Sequence, residues 1–340
     1  MKPSDHSNAN SHLNHPLAEP DCFKSGLSPV SSGGQLTDTG ALKAAQAFSF
    51  RVPPVFASLI DWQNADDPLL LQVIPSAKEL IIPEGYTQNP LDEHHYLRVP
   101  GLVAKYPGRV LLRLTGACPI HCRYCFRRHD SFGDIPKEMG EWQPALEWIA
   151  RDTAIREVIF SGGDPLMLAN GQLAELSARI AAIGHVRRLR IHTRMPVCSP
   201  GRVNDSLLEW LTSTNMLTFI VIHVNHPAEL GREGCAALGR LADAGITLLN
   251  QSVLLKGVND SVDVLEALSE KLLQNRVLPY YLHLLDPVAG AAHFYVDESH
   301  ARQLVQGLRD RLGGYAVPRL AREIPGRLSK KVLEGIHNTG

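Results

Sequence analysis

The chain has 340 residues, 44% of them hydrophobic and 20% charged, with a formal net charge of -1. That is enough to bury one large core or two modest ones, and the near-neutral charge supplies no global field for nucleic acid or an anionic membrane. No apolar run reaches the length of a bilayer span, and the first residues lack the apolar core of a secretory signal.

Residues 1–40 are rich in Ser, Asn, Gly, Pro and His without an apolar period, and read as a mobile tail. Residues 41–108 mix short helical stretches with proline-broken segments, an extension expected to pack on the outside of a larger domain. From residue 109 a rhythm begins. β-rich runs at Arg109–Leu114, Glu157–Phe160, Arg188–His192, Phe219–Val224, Thr247–Leu254 and Pro279–Leu284 alternate with segments of helical period. Such alternation predicts a parallel sheet with right-handed crossovers. Six units suggest a partial (β/α)6 barrel, although a doubly wound open sheet would give the same string. Residues 109–313 form this unit, and 314–340 a C-terminal segment. Polar residues gather at one end of every strand, where barrel enzymes keep their active sites.

After the first strand comes Cys118-Pro-Ile-His-Cys122-Arg-Tyr-Cys125, a C-x3-C-x2-C spacing with no fourth cysteine nearby. Three thiolates on a [4Fe–4S] cube would leave one iron open to a ligand that is not protein. A zinc site completed by His121 or His129, and chance clustering of thiols, are the alternatives. Cys22, Cys198 and Cys235 show no framework spacing, so reduced thiols and a cytoplasmic location are expected.

Ser161-Gly162-Gly163-Asp164 follows the second strand, where glycine would let backbone approach a ligand or simply make a turn and cap. Arg127 and Arg128 follow the third cysteine and could hold a carboxylate or remain solvated. Asp286 closes the sixth strand, where a buried carboxylate needs a partner. Gln251 within an apolar strand needs hydrogen bonds, for which a ligand is one source. His223 and His226 read as satisfied histidines, and Lys330 and Lys331, taken alone, as surface lysines.

Taken together, Cys118–Cys125 with Cys122-Arg-Tyr-Cys-Phe-Arg-Arg-His129, Phe160–Leu166, Ile222–Pro227, Leu249–Leu255 and Ala292-His-Phe294 resemble the radical S-adenosylmethionine enzymes, in particular the lysine 2,3-aminomutases. The resemblance covers residues 45–335, and Tyr280–Asp286 with Leu320–Ile324 resemble the short branch that serves (R)-β-lysylation of elongation factor P. It implies an α/β fold, a partial (β/α)6 barrel of the radical SAM type with an N-terminal helical extension and a C-terminal cofactor-binding segment. It also implies an isomerase that moves the 2-amino group of L-lysine to C3 through a radical. The implied cofactors are a [4Fe–4S] cluster on Cys118, Cys122 and Cys125, S-adenosylmethionine, and pyridoxal 5′-phosphate on Lys330. By the same resemblance Gly162, Gly163, Asp164, His223 and Gln251 surround S-adenosylmethionine. Lys105, Tyr106 and Arg109 match positions around the pyridoxal phosphate group, and Arg127 the substrate carboxylate site. Asp286 and Glu323 match the positions that receive the side-chain ammonium. A reducing electron donor, elongation factor P and its lysyl-transferring enzyme are the implied partners. The long clostridial-type members carry an interface zinc site, but Ser261 stands at one of its positions here, so the resemblance does not extend to that metal. Alternatives are a radical aminomutase acting on another basic amino acid, and an iron–sulfur binding protein without turnover.

Overall fold

The computed structural model describes residues 39–333; the tail expected over 1–40 and the end of the C-terminal segment lie largely outside them. One sheet of ten strands runs in chain order: β1 (Leu97–Val99), β2 (Leu102–Val103), β3 (Arg109–Thr115), β4 (Glu157–Gly162), β5 (Arg188–Thr193), β6 (Leu217–Ile222), β7 (Thr247–Val253), β8 (Val277–His283), β9 (Arg319–Arg322) and β10 (Lys331–Val332). β3 to β9 are all parallel to their neighbours. β1 and β2 extend one side antiparallel, and β10 the other. β1 and β10 are the ends of the order, so the sheet is a partial barrel rather than a closed one. The six expected units are present, and β9 adds a seventh parallel strand.

The side chains alternate between two faces, as strand geometry requires, apart from register shifts at Arg113–Thr115 and Asn250–Gln251. Val110, Leu112, Leu114, Val158, Phe160, Leu189, Ile191, Ile220 and Ile222 face outward into the main hydrophobic core. They pack beneath helices whose apolar faces the sequence period anticipates, such as Gln143–Arg151, Asn170–Ala181 and Arg232–Asp243. A second core lies under Val262–Gln274 and Glu298–Arg311 at the β8–β9 side. The opposite face of the strands looks inward and carries Arg109, Arg113, Ser161, Arg190, His192, His223, Gln251, Tyr281 and His283. The same inward face also has Leu111, Ile159, Val221 and Leu249, and this largely polar side of the sheet is the chamber of the barrel.

The N-terminal extension does more than cover the barrel. Val52, Phe56, Leu69 and Leu70 pack around Ile120 and Cys198, directly behind the cysteine loop. Ser261, at the position where longer relatives are expected to hold zinc, is the N-cap of Val262–Gln274.

Candidate active site

The cysteine loop leaves the C-terminal end of β3, and its first turn is clamped by the turn after β4. Gly163 N–H donates to the Thr115 carbonyl at 2.6 Å and Asp164 N–H to that of Ala117 at 2.8 Å. A Cβ on Gly163 would stand 2.3 Å from the Ala117 oxygen, and Gly162 has φ +121°, so both glycines are dictated by this close approach. Asp164 is buried, and its carboxylate accepts from Thr193 Oγ1 at 2.7 Å, Arg194 N–H at 2.8 Å and Leu166 N–H at 3.0 Å. These groups therefore join β3, β4 and β5 at the chamber rim.

Cys118, Cys122 and Cys125 are all free thiols. Burial pushes Cys118 up, with Cys125 and Cys122 adding to it, and burial with Cys122 pushes Cys125 up to about 11. Thiols that burial and their neighbours' sulfurs keep from ionising are a donor set that a metal centre relieves. The two histidines considered as further ligands have other partners. His121 stacks on Phe48 and places Nδ1 2.8 Å from the Ser49 carbonyl, and His129 Nε2 lies 2.9 Å from the Ala289 carbonyl.

Behind Cys122 lies a buried polar network that the sequence reading did not find. Arg194 Nη1 donates to Cys122 Sγ at 2.7 Å and to Tyr124 Oη at 2.9 Å, while Nη2 donates to Glu229 at 2.8 Å and Gln72 at 2.9 Å. Asn225 Nδ2 donates to Tyr124 Oη at 2.7 Å, and His223 Nε2 lies 2.8 Å from the same oxygen. Burial, reinforced by Arg194, lowers His223 to about 4, so its ring is neutral. His226 caps the turn at Pro227–Glu229. Asn250 faces outward and ties β7 to Val224, whereas its neighbour Gln251 faces the chamber.

The arginines after the third cysteine are not solvated. Arg127 donates Nε and Nη2 to the two oxygens of Glu93 at 2.7 and 2.6 Å, and Nη1 to the Gly162 carbonyl at 2.8 Å and Ser161 Oγ at 3.2 Å. Arg128 bonds Glu79 and the Gly290 carbonyl.

On the far side, Glu323 follows the end of β9 and is a hub. Lys105 Nζ lies 2.6 Å from one oxygen and Lys330 Nζ 2.7 Å from the other, and Tyr106 Oη donates to the carboxylate. Burial works against its charge, yet Lys330, Lys105 and Tyr106 hold it down to about 2. Asp286 is pushed up to about 7 by burial, which the nearby Lys330 only partly offsets. Arg109 lies over the Tyr106 ring at 4.7 Å, and Lys105, Tyr106 and Arg109 line a cleft of about 220 Å³ with Trp148 and Leu328. Most of the sequence-predicted residues thus stand at one end of the strands, whereas Arg109 begins β3, and Lys105 and Tyr106 link its cleft to Glu323.

Residues 112–268 match the model of the Radical SAM superfamily. The chain is 46% identical to an L-lysine 2,3-aminomutase of Haemophilus influenzae over 290 residues, 85% of this chain and 86% of that protein. It is 44% identical to an L-lysine 2,3-aminomutase of Escherichia coli (strain K12), over 86% of this chain and 85% of that one. Among solved structures, a radical SAM methyltransferase from Sphaerobacter thermophilus is 19% identical, with a TM-score of 0.43 over 65% of this chain and 68% of that chain. Membership of the superfamily implies a [4Fe–4S] cluster and S-adenosylmethionine. The chain belongs to the Radical SAM superfamily, and within it to the family of the L-lysine 2,3-aminomutases.

Proposed function

We propose that this protein converts L-lysine to β-lysine by 2,3-amino migration, with pyridoxal phosphate bound beside the cluster and S-adenosylmethionine. The observation that carries the reading is the charge pattern of the chamber. A guanidinium, Arg127, is buried beside the cysteine loop, and two carboxylates, Asp286 and Glu323, surround Lys330. An amino acid with a cationic side chain is the ligand whose two ends this pattern complements. Glutamate would meet two carboxylates at its side chain and be repelled.

Cys118, Cys122 and Cys125 would hold the cluster, with Gly162, Gly163, Asp164, His223 and Gln251 around S-adenosylmethionine. When bound, these two cofactors supply a carbon radical from one electron, and pyridoxal phosphate holds the migrating amine in a conjugated system. Lys330 would carry pyridoxal phosphate, with Lys105, Tyr106 and Arg109 as cationic and phenolic donors to its phosphate. The protein's own part is orientation. Arg127 holds the substrate carboxylate, which requires Glu93 to share or yield one edge of the guanidinium fork. Asp286 and Glu323 would hold the side-chain ammonium, and Lys330, ion-paired with Glu323 in this structure, would be the residue that holds the cofactor. The neutral His223 leaves the cluster side of the chamber without an extra positive charge.

We place the protein in the cytoplasm, where thiols stay reduced; among the described residues no helix is long and apolar enough to cross a membrane. A reducing electron donor is a required partner, and the product would serve elongation factor P and its lysyl-transferring enzyme. Anaerobic incubation with reductant, S-adenosylmethionine, pyridoxal phosphate and L-lysine, followed by chiral product analysis, tests the reading. β-Lysine is expected; an intact cluster with cofactors bound and no β-lysine would overturn it. Asp286→Asn should lose lysine turnover and keep full iron and sulfide.

A further inference from the structure

Two imidazoles of the chamber, His192 and His283, are used by none of these assignments, and of the two it is His192 whose buried Nε2 has no partner. His192 is the last inward-facing residue of β5, two places beyond Arg190 on the same face. Ile159 and Phe160 of β4 stand opposite Arg190 and Ile191, so His192 comes next to Ser161, the residue that accepts from Arg127. On its other side, it is registered with Val221 of β6. Its Nε2 is buried, and no protein group hydrogen bonds it.

The surroundings make this unusual. Burial first, then Arg190, Lys330, Arg127 and His283, hold the imidazole well below its ordinary pKa. It is therefore a neutral ring near three cations, Arg190, Lys330 and Arg127, each ion-paired with a carboxylate, and near His283, which burial also keeps neutral; its own Nε2 is left unmatched. The fold gains nothing from such a group: an apolar side chain of similar size would fill the space without burying an unsatisfied nitrogen. What would satisfy it is a ligand oxygen, and an anionic one is favoured because Arg190, Lys330 and Arg127 are cations.

We propose that His192 contacts the bound ligand of the chamber by hydrogen bonding, through Nε2, an anionic oxygen of the amino-acid substrate or of pyridoxal phosphate. This rests on the reading of the chamber as the site of both. Because Ser161, its neighbour on β4, accepts from Arg127, and the charges of both Arg127 and Lys330 bear on the ring, His192 stands near the groups assigned to the substrate carboxylate and to the cofactor. It acts as a specificity and positioning residue of the reaction, not as a metal ligand.

The test uses reconstituted holoenzyme of His192→Ala, His192→Phe and His192→Gln, each checked for wild-type iron content and circular dichroism. Pyridoxal phosphate affinity is read from its absorbance without lysine, and L-lysine affinity by calorimetry on cofactor-saturated protein. His192→Ala and His192→Phe should each weaken one of the two affinities at least tenfold, and His192→Gln, which keeps a donor, should recover most of the loss. A change confined to the first arm assigns the cofactor oxygen, and a change confined to the second the substrate carboxylate. His192→Phe preserves the volume, so a packing defect in the alanine variant does not decide the matter. Wild-type binding of both ligands by all three variants overturns this inference alone. A wild-type protein that binds neither overturns the proposed function, and this inference with it.

Discussion

Glu79 offers the sharpest test of how the cysteine loop is held. Its carboxylate takes Arg123 Nε at 2.8 Å and Nη2 at 2.6 Å, a bidentate pair, and accepts from Arg128 as well. The side chains of Glu79, Arg123 and Arg128 are 1%, 0% and 3% exposed, so water screens none of them. The remaining Arg123 donors go to the carbonyls of Phe48 and Ala44. Glu79 also accepts from Ser76 N–H at the start of the short helix Ala77–Leu80. Glu79→Ala leaves two guanidinium groups buried without their counter-ion. Removing one partner of a buried pair costs about 3–5 kcal/mol, a large part of the ~5–15 kcal/mol by which a domain is stable. Glu79→Gln retains one acceptor oxygen and should lose less, on the order of 2 kcal/mol, in keeping with a hydrogen bond to a charged group. Urea unfolding of the metal-free protein measures the stability change, and iron per chain after reconstitution measures the consequence for the loop. A Glu79→Ala midpoint equivalent to less than about 1 kcal/mol, a typical single exposed interaction, would refute the claim that this hub anchors the loop.

Three further outcomes are expected. Arg194→Gln removes a cationic donor from Cys122 Sγ, and since hydrogen bonds to sulfur favour the more negative, reduced cluster, the midpoint potential should fall. A tenfold change in the oxidised-to-reduced ratio corresponds to ~59 mV for one electron, a shift readable by potentiometric titration with electron paramagnetic resonance. Gly163→Ala places a methyl 2.3 Å from the Ala117 oxygen; it should destabilise the protein by about 1–3 kcal/mol and lower iron retention, both measured as for Glu79. Asp286, with its carboxyl raised to about 7, costs the folded state no stability below pH ~4, the ordinary carboxylate range, and a growing amount as pH rises toward 7, because only the unfolded chain is then ionised. An ammonium bound beside it favours the carboxylate, so L-lysine binding near pH 6 should release a proton, visible in calorimetry across buffers of different ionisation enthalpy and absent in Asp286→Asn.

The strand–helix rhythm was legible because each strand carries an outward apolar row, as in Val110, Leu112 and Leu114. The inward row was legible only where it broke an apolar run, as Gln251 does. β9 escaped notice because Arg319-Leu-Ala-Arg322 is four residues long, with charge at both ends, and becomes a strand only through pairing with β8. The acids Glu79, Glu93 and Glu229 were illegible for a related reason. Each lies in a segment without periodicity, and the arginine it serves is 34 or more residues away. The Gly-Gly-Asp segment allows ligand approach or a turn and cap from sequence alone; in the fold the N–H groups of Gly163 and Asp164 are bonded to the β3 loop and Asp164 caps Pro165–Met167. Spacing in a sequence shows which groups are near one another along the chain, not which of their hydrogen bonds the fold has already taken.

The cysteine loop itself makes the larger point. Between β3 and the helix at Met139–Trp142 there is no regular element to hold three thiols in place. Arginines do it instead. Arg123 fastens the loop to the N-terminal extension, Arg127 to the turn after β4 and to Glu93, and Arg128 to Glu79 and the Gly290 carbonyl. Arg194, directly after β5, reaches back to Cys122. A guanidinium presents five donors in a rigid plane and stays charged when buried, so each one fixes several backbone and carboxylate oxygens at once. Lysine at these positions would offer a flexible point charge and could not replace that geometry. The arrangement would also suit the cluster proposed for this loop, because a cube with three thiolates is anionic overall and cations around it lower the cost of burying it. Scaffold and electrostatics are here the same residues, which is why the motif is dense in arginine as well as cysteine.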